Sequence, residues 1–384
     1  MFEKENLKFI SPMGDEMFHE NESLIVRFSG RRGVVSTSNL SGGYRQDLRY
    51  AFNNSCGNNP LIKQKKCPGM MGKNLQEHYH NLAIKIGLPP EESTGMGTAA
   101  LIENSAMARR IEHNVEVMAI ATAGIDVNGG RAGDKASYDE FTRQGIKPTA
   151  GTINIFLFIN AKLDGGTLTR AVVTATEAKC VAVQELMANS RYSQGIATGS
   201  GTDSIIVICN DESDVQLYNA GKHVLLGQMI GESVKEAVTK ALDLQCGMNP
   251  TRQASIEWQS KRYGMTKDSI FMYYQHAIKD TDNIDEIRKT IEEIDTDQKL
   301  LVPIAAITHL CDQNRWGIIK DEMLVTTIQS MLSHLLASEG AKDINISRSR
   351  PHNLMESSPI YKQIISDTIL SLAYIAHARS KRDK

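Results

Sequence analysis

The sequence predicts an α/β (α+β) fold: a mixed-sheet sandwich with flanking helices, followed by an all-α C-terminal domain. Three observations carry that expectation. Up to about residue 245, apolar runs rich in β-branched residues mingle with helical patterns. Those runs lack strict apolar–polar alternation, so several strands should be buried on both faces. Beyond Cys246 the pattern is helical and holds no convincing strand. Strands and helices interleave too irregularly for a doubly wound sheet. A length of 384 residues fits more than one domain at ~150 residues each. The change of character divides the chain into 1–245 and 246–384.

Taken in order, SLIVRF and GVVSTS flank FSGRRG, whose glycines and polar residues suggest a hairpin. NLQEHYHNLAIKIGL reads as an amphipathic helix closed by Gly87 and Pro89-Pro90. GTAALIE, VEVMAIATAGI, GTINIFLFIN and DSIIVICN read as four more strands. LTRAVVTATEAKCVAVQELM is a strong helix. Its core stripe is expected at Val173, Thr176, Cys180, Val183 and Met187, with Arg170, Thr174, Glu177 and Gln184 as a second, polar stripe. GQMIGESVKEAVTKALDLQ is another helix. GMNPTRQ looks like a linker, and five helical segments follow it.

Bulk properties exclude several classes. Net charge is −2 and the basic residues are dispersed, so no nucleic-acid surface is expected. No apolar run reaches the ~18 residues of a membrane span, and MFEKENLKFI carries charges where a secretory signal needs an apolar core. Cysteines 56, 67, 180, 209, 246 and 311 show no C-x-x-C spacing, which predicts reduced thiols in a cytoplasmic protein without a metal site. Cys180 and Cys209 sit in apolar runs and read as core residues. The terminal HARSKRDK reads as a solvated tail.

Four polar clusters stand at strand edges or on the first strong helix. In STSNLSGGYRQD, Asn39 ends a strand, and Gly42 and Gly43 allow a turn or close approach to a ligand. TAGIDVNGGRAGDKA places Asp126, Arg131 and Asp134 in a glycine-rich loop after a strand. An Arg between two Asp forms either an ion pair or a clamp for a carboxylate or amide. In AGTINI, Thr152 and Asn154 share one strand face. Asn154 would donate to an oxyanion or pin a loop. On the helix, Glu177 lies three residues from Thr174, a general base beside a hydroxyl; a solvated face is the competing reading. A fifth element is the loop ATGSGTD, with Thr198, Gly199, Gly201, Thr202 and Asp203. It lacks the lysine and the strand–loop–helix order of a P-loop, so a nest of backbone N–H groups for an oxyanion or polar ligand fits better.

Together these strings resemble the adenosylcobinamide amidohydrolase family of corrinoid salvage. The resemblance rests on STSNLSGG, ATAGI followed by RAGD, GTINI, VTATEAK and ATGSGTDSIIV, in the family's order, across roughly residues 24–245. It implies hydrolysis of the amide that joins aminopropanol to a corrin propionate, releasing adenosylcobyric acid. The substrate carries the cobalt, so no protein-bound cofactor is implied. A corrinoid small molecule is the expected partner, and a homo-oligomer stays open, with the helical half serving dimerisation or capping the site. Glu177 is the expected acid/base. Asn154 and the 199–202 loop are candidate oxyanion donors. Asp126, Arg131 and Asp134 would orient water or bind peripheral amides. Thr152, Thr174, Thr202 or water could attack. The segment after SGGYRQD departs from the family: Asn53 and Asn54 remain, the usual histidine is absent, and a Cys- and Lys-bearing insertion follows. A non-catalytic corrinoid-binding or sensing module, and a hydrolase of another tetrapyrrole or metallophore amide, are the competing readings.

Overall fold

The computed structural model describes residues 3–55, 70–145, 151–279, 284–341 and 358–381. The chain forms two compact units, Met1–Asn249 and Pro250–Lys384. In the first unit one sheet runs β1 (Leu7–Ile10), β2 (Glu16–Glu20), β3 (Ser23–Arg27), β6 (Tyr50–Ser55), β7 (Ser93–Thr98). The other runs β5 (Gly43–Arg45), β4 (Arg32–Ser36), β14 (Ser204–Asn210), β12 (Thr152–Ile159), β9 (Val115–Gly124), β8 (Ala106–Glu112). Both are mixed: β6–β7 and β12–β14 are parallel and their other pairs antiparallel. Two short ladders join β10 (Tyr138–Asp139) to β11 (Gln144–Gly145) and β13 (Lys162–Leu163) to β15 (Gln216–Leu217). The helices are α1 (Leu75–Lys85), α2 (Gly165–Glu185) and α3 (Leu225–Cys246).

Strand β12 shows why the alternation was weak: every residue of it is buried. Ile153, Ile155, Leu157 and Ile159 face a core shared with α2 and α3. Phe156 and Phe158 face the first sheet, meeting the cluster of Met17, Leu24, Val26 and Met96. The far side of that sheet, through Ile25 and Phe52, packs on Leu82 and Ala83 of α1. The layers are therefore helix pair, sheet, sheet, helix. Toward the start of β12 the layer between the sheets turns polar, with Asn154, Thr122 and Asn53 all buried.

Several expectations need correction. SLIVRF and GVVSTS are not a hairpin. β3 lies between β2 and β6, and β4 between β5 and β14, so residues 28–31 carry the chain from one sheet to the other. Arg32, 2% exposed, holds the crossing through Asp15 (Nε to Oδ1, 3.0 Å) and the Met13 carbonyl (2.8 Å). GTAALIE is not a strand. β7 ends at Thr98, whose hydroxyl accepts from Ala100 N–H (3.0 Å), and a short 3-10 turn follows at Ile102–Asn104. Nor does α2 bury Val173, which is 44% exposed. Its inward face is Leu168, Ala171, Ala175, Ala178, Ala182 and Val183, and small side chains let it sit close to the sheet and α3. Cys209 is fully buried, whereas Cys180 is only half-buried. Cys56 and Cys67 lie outside the described residues.

Gly247, left-handed at φ 63°, stops α3. The second unit holds α4 (Pro250–Gln253), α5 (Ile256–Ser260), α6 (Lys267–Ala277), α7 (Ile284–Asp295), α8 (Gln298–Arg315), α9 (Asp321–Ser338) and α10 (Ile360–Ser380). From α5 to α10 they share one core that includes Ile287, Leu300, Ile304, Leu332, Leu372 and Ile375. The expected solvated tail begins too early. α10 runs to Ser380, and Arg379 binds Glu339 (Nε to Oε2, 2.8 Å) and Asp297 (Nη2 to Oδ2, 2.7 Å). Among the described residues no helix is long and apolar enough to cross a membrane.

Candidate active site

Parallel pairing puts the start of β14 beside the start of β12, with Ser204 opposite Asn154. The loop 198–203 feeds β14 there. Asp203 organises it. Its Oδ1 accepts from Ile153 N–H (2.9 Å) and Ser200 Oγ–H (2.7 Å), and its Oδ2 from Ser200 N–H (3.0 Å) and Lys179 Nζ (2.5 Å). The Lys179 and Asp203 side chains are 9% and 10% exposed. The glycine-rich turn does hold a negative charge, and that charge is the chain's own carboxylate. Gly199, at φ +154°, is required: a Cβ there would fall 2.5 Å from Lys179 Nζ. Thr202 Oγ1 donates to the Gly151 carbonyl (2.7 Å), and Ser200 Oγ lies 3.2 Å from the same oxygen.

This loop forms one wall of a cavity of about 420 Å³. Lys179 and Cys180 of α2 enter it from one side, Arg131 and Asp134 from another, with Thr198, Gly199, Ser200 and Gly201 between. Burial pushes the Asp134 carboxyl up, but hydrogen bonds from Ser190, Ser193 and the Arg131 N–H outweigh it and hold the group below its usual value. Asp134 Oδ2 accepts from the Ser190 hydroxyl at 2.6 Å and from Arg131 N–H at 2.8 Å. The Arg131 guanidinium reaches the Ile196 carbonyl instead (3.2 Å). Arg131 therefore serves Asp134 through its backbone, not as a side-chain clamp. Burial raises the Cys180 thiol, with Lys179 opposing, and Cys209 is pushed up to about 11, again by burial. Neither is an activated thiolate at neutral pH.

The other expected residues fall elsewhere. Glu177 is on the solvent side of α2, bound to Lys222 Nζ (2.6 Å), and lines a second cavity of about 580 Å³ between α2 and α3. The Glu177–Thr174 pairing does not form as a base and its partner: buried Thr174 donates to the Ala220 carbonyl (2.7 Å). Asn154 donates to Asn53 Oδ1 and the Gly97 carbonyl, both at 2.9 Å, and Asn53 donates to Thr122 Oγ1. That amide ties the two sheets together. Thr152 does share its face, donating to the Thr202 carbonyl (2.7 Å). Asn39 and Gly42 lie in an exposed turn between β4 and β5, Gly43 opens β5, and Asp126 lines neither cavity.

Sequence reasoning missed Lys179 and Ser200. A signal for Lys179 existed. It stands beside Ala178 and Ala182 on the inward side of α2, where a lysine needs an anionic partner. Ser200 carried no separate signal inside a Gly-Ser-Gly string.

The adenosylcobinamide amidohydrolase family model matches residues 9–250, well over half the chain and all the elements just described. The chain belongs to the adenosylcobinamide amidohydrolase family. Two relatives agree in extent. A protein of Methanosarcina mazei named adenosylcobinamide amidohydrolase is 34% identical over 234 residues, 59% of this chain and 96% of its own length. An uncharacterized protein of Methanocaldococcus jannaschii is 34% identical over 239 residues, 59% of this chain and 88% of that one. Among solved structures, the L-aminopeptidase D-Ala-esterase/amidase of Ochrobactrum anthropi overlaps with a TM-score of 0.27 at 12% identity, covering 62% of this chain and 81% of that one. That overlap is too loose to bear on fold or chemistry. The family match stops at residue 250, beside the boundary between the two units, so α5 to α10 lie outside the adenosylcobinamide amidohydrolase region.

Proposed function

We propose that this protein hydrolyses the aminopropanol amide of adenosylcobinamide to adenosylcobyric acid, in corrinoid salvage in the cytoplasm. The reading is supported by one observation above all: Lys179 and Ser200 face the same cavity and are both bound to Asp203. Amide hydrolysis needs a nucleophile with a proton acceptor, and a donor for the tetrahedral oxyanion. Ser200 Oγ attacks the amide carbonyl carbon and its proton passes to Asp203 Oδ1. The oxyanion forms beside the Lys179 ammonium, whose three N–H donors are not all used by Asp203. The C–N bond breaks, the aminopropanol nitrogen takes the proton, and water then releases the acid from Ser200. Arg131, Asp134, Thr198, Gly199 and Gly201 shape the cavity around the amide arm. Ser200 is preferred to Thr152 because its hydroxyl has a carboxylate acceptor, whereas Thr152 is 2% exposed and bonds a carbonyl.

The test incubates purified protein with adenosylcobinamide and follows aminopropanol and adenosylcobyric acid by mass spectrometry, for wild type, Ser200→Ala and Glu177→Gln. Wild type should form both products. Ser200→Ala should lose at least ~10³ in rate, as removal of an attacking hydroxyl does. Glu177→Gln should keep kcat within about threefold, since its carboxylate is half-exposed and paired to Lys222. Product from Ser200→Ala at the wild-type rate would move the attack to water. Binding without turnover by folded wild type would make the protein a corrinoid-binding module.

A further inference from the structure

The two cavities of the first unit meet on one helix. Thr176 and Cys180, one turn apart on α2, line both of them. Lys179 points into the smaller cavity and Glu177 into the larger, about 160° apart around the helix axis. The shared residues lie on the arc between them, so the cavities are neighbours across a low saddle. The larger, about 580 Å³, has mostly apolar walls and lies within the size range of small-molecule sites, ~300–1,000 Å³. Its far wall is α3, where Gly231 leaves the space open: a Cβ there would meet nothing within 4 Å. Carboxamides stand at the rim, from Gln184 and Gln228.

We infer that the larger cavity seats the macrocycle of the substrate, and that the amide arm crosses the Thr176–Cys180 saddle to Lys179 and Ser200. This rests on the reading under Proposed function. The scissile carbonyl of a propionamide stands two methylenes from its ring. Ring and reacting amide therefore need two adjoining compartments, a larger one for the ring and a smaller one that presents Lys179 and Ser200 to the amide. The arrangement on α2 supplies both. A corrin carries carboxamides around an apolar ring, which matches apolar walls rimmed by Gln184 and Gln228. Glu177 and Lys222 line the edge of this cavity and pair with each other.

Equilibrium dialysis of the full chain against adenosylcobinamide, read by the corrinoid's own visible absorbance, tests the seat. Gly231→Phe fills it from α3 and Gln184→Trp crowds it from α2; circular dichroism checks that each folds, and if Gly231→Phe does not, Gln184→Trp carries the test. Each folded variant should bind at least about tenfold more weakly than wild type. Wild-type affinity in the folded variants, with wild type binding and cleaving the corrinoid, would overturn the seat and leave the proposed reaction standing. Wild type that neither binds nor cleaves adenosylcobinamide would overturn the reaction and the seat with it.

Discussion

Lys179→Met should reduce stability and turnover together, by about 3–5 kcal/mol of unfolding free energy and about 10²–10³ in kcat. The stability loss follows from what stays behind. Asp203 would keep its bonds from Ile153 N–H, Ser200 N–H and Ser200 Oγ–H, but would be a nearly buried carboxylate without a cation. Removing one member of a buried pair costs more than the pair contributes, because the surviving charge is stranded. The rate loss has a different origin, the missing donor at the developing oxyanion. The double variant Lys179→Met with Asp203→Asn tests the stability loss, because it removes the stranded charge together with the proton acceptor. A neutral amide can still accept from Ile153 N–H, so the double variant should regain a large part of the stability and none of the turnover. Hydrogen exchange of β12 reads local stability, and product formation reads kcat. Turnover that recovers along with β12 protection would overturn the roles of both Lys179 and Asp203 in the reaction. Unchanged β12 protection in the single variant would mean that the pair is not buried in solution.

The limits of sequence reading follow the same physics. β9, β12, β14 and the helices were legible because long β-branched runs and helical periodicity survive in one dimension. The first sheet was legible only in part. Segments such as YAFNNS and STGMGT carry little apolar signal, and β6 and β7 are held by neighbours far away in sequence. SLIVRF and GVVSTS looked like a hairpin because short sequence separation favours pairing, and nothing local reveals that Asp15 pulls Arg32 toward a crossing. The inward face of α2 was misread because Val outranks Ala in hydropathy, while close packing selected Ala. Of the expected site, the loop 198–203 and Asp134 come together around one cavity, because strand ends cluster wherever parallel strands start side by side. Glu177 was chosen by its spacing from Thr174 alone, and spacing cannot tell that Thr174 turns to Ala220.

The helical unit carries its own buried ion pair, and Arg262→Met should cost that unit about 3 kcal/mol, the low end of the range for breaking such a pair. Arg262 meets Asp312 through two parallel bonds of 2.6 Å, and the side chains are 1% and 3% exposed. The low end applies because Asp312 would keep two partners, Tyr263 Oη at 2.6 Å and the Arg315 guanidinium at 3.6 Å. The measurement is clean, because both tryptophans, Trp258 and Trp316, lie in this unit and their fluorescence in urea reports it alone. Arg262→Met with Asp312→Leu removes both charges and should return to within about 1 kcal/mol of wild type, as apolar replacements of buried pairs often do. The same cluster sets an alkaline limit. Burial, then the hydrogen bond to Asp312, raises the Tyr263 hydroxyl well above its ordinary value of 10.0. A group that keeps its proton when folded and loses it when unfolded favours unfolding as pH rises past its unfolded pKa. The tryptophan-detected midpoint should therefore fall above about pH 10, and Tyr263→Phe should flatten that fall. A midpoint unchanged by Arg262→Met would show that Asp312 is fully supported by Tyr263 and Arg315, and that the guanidinium fork is dispensable.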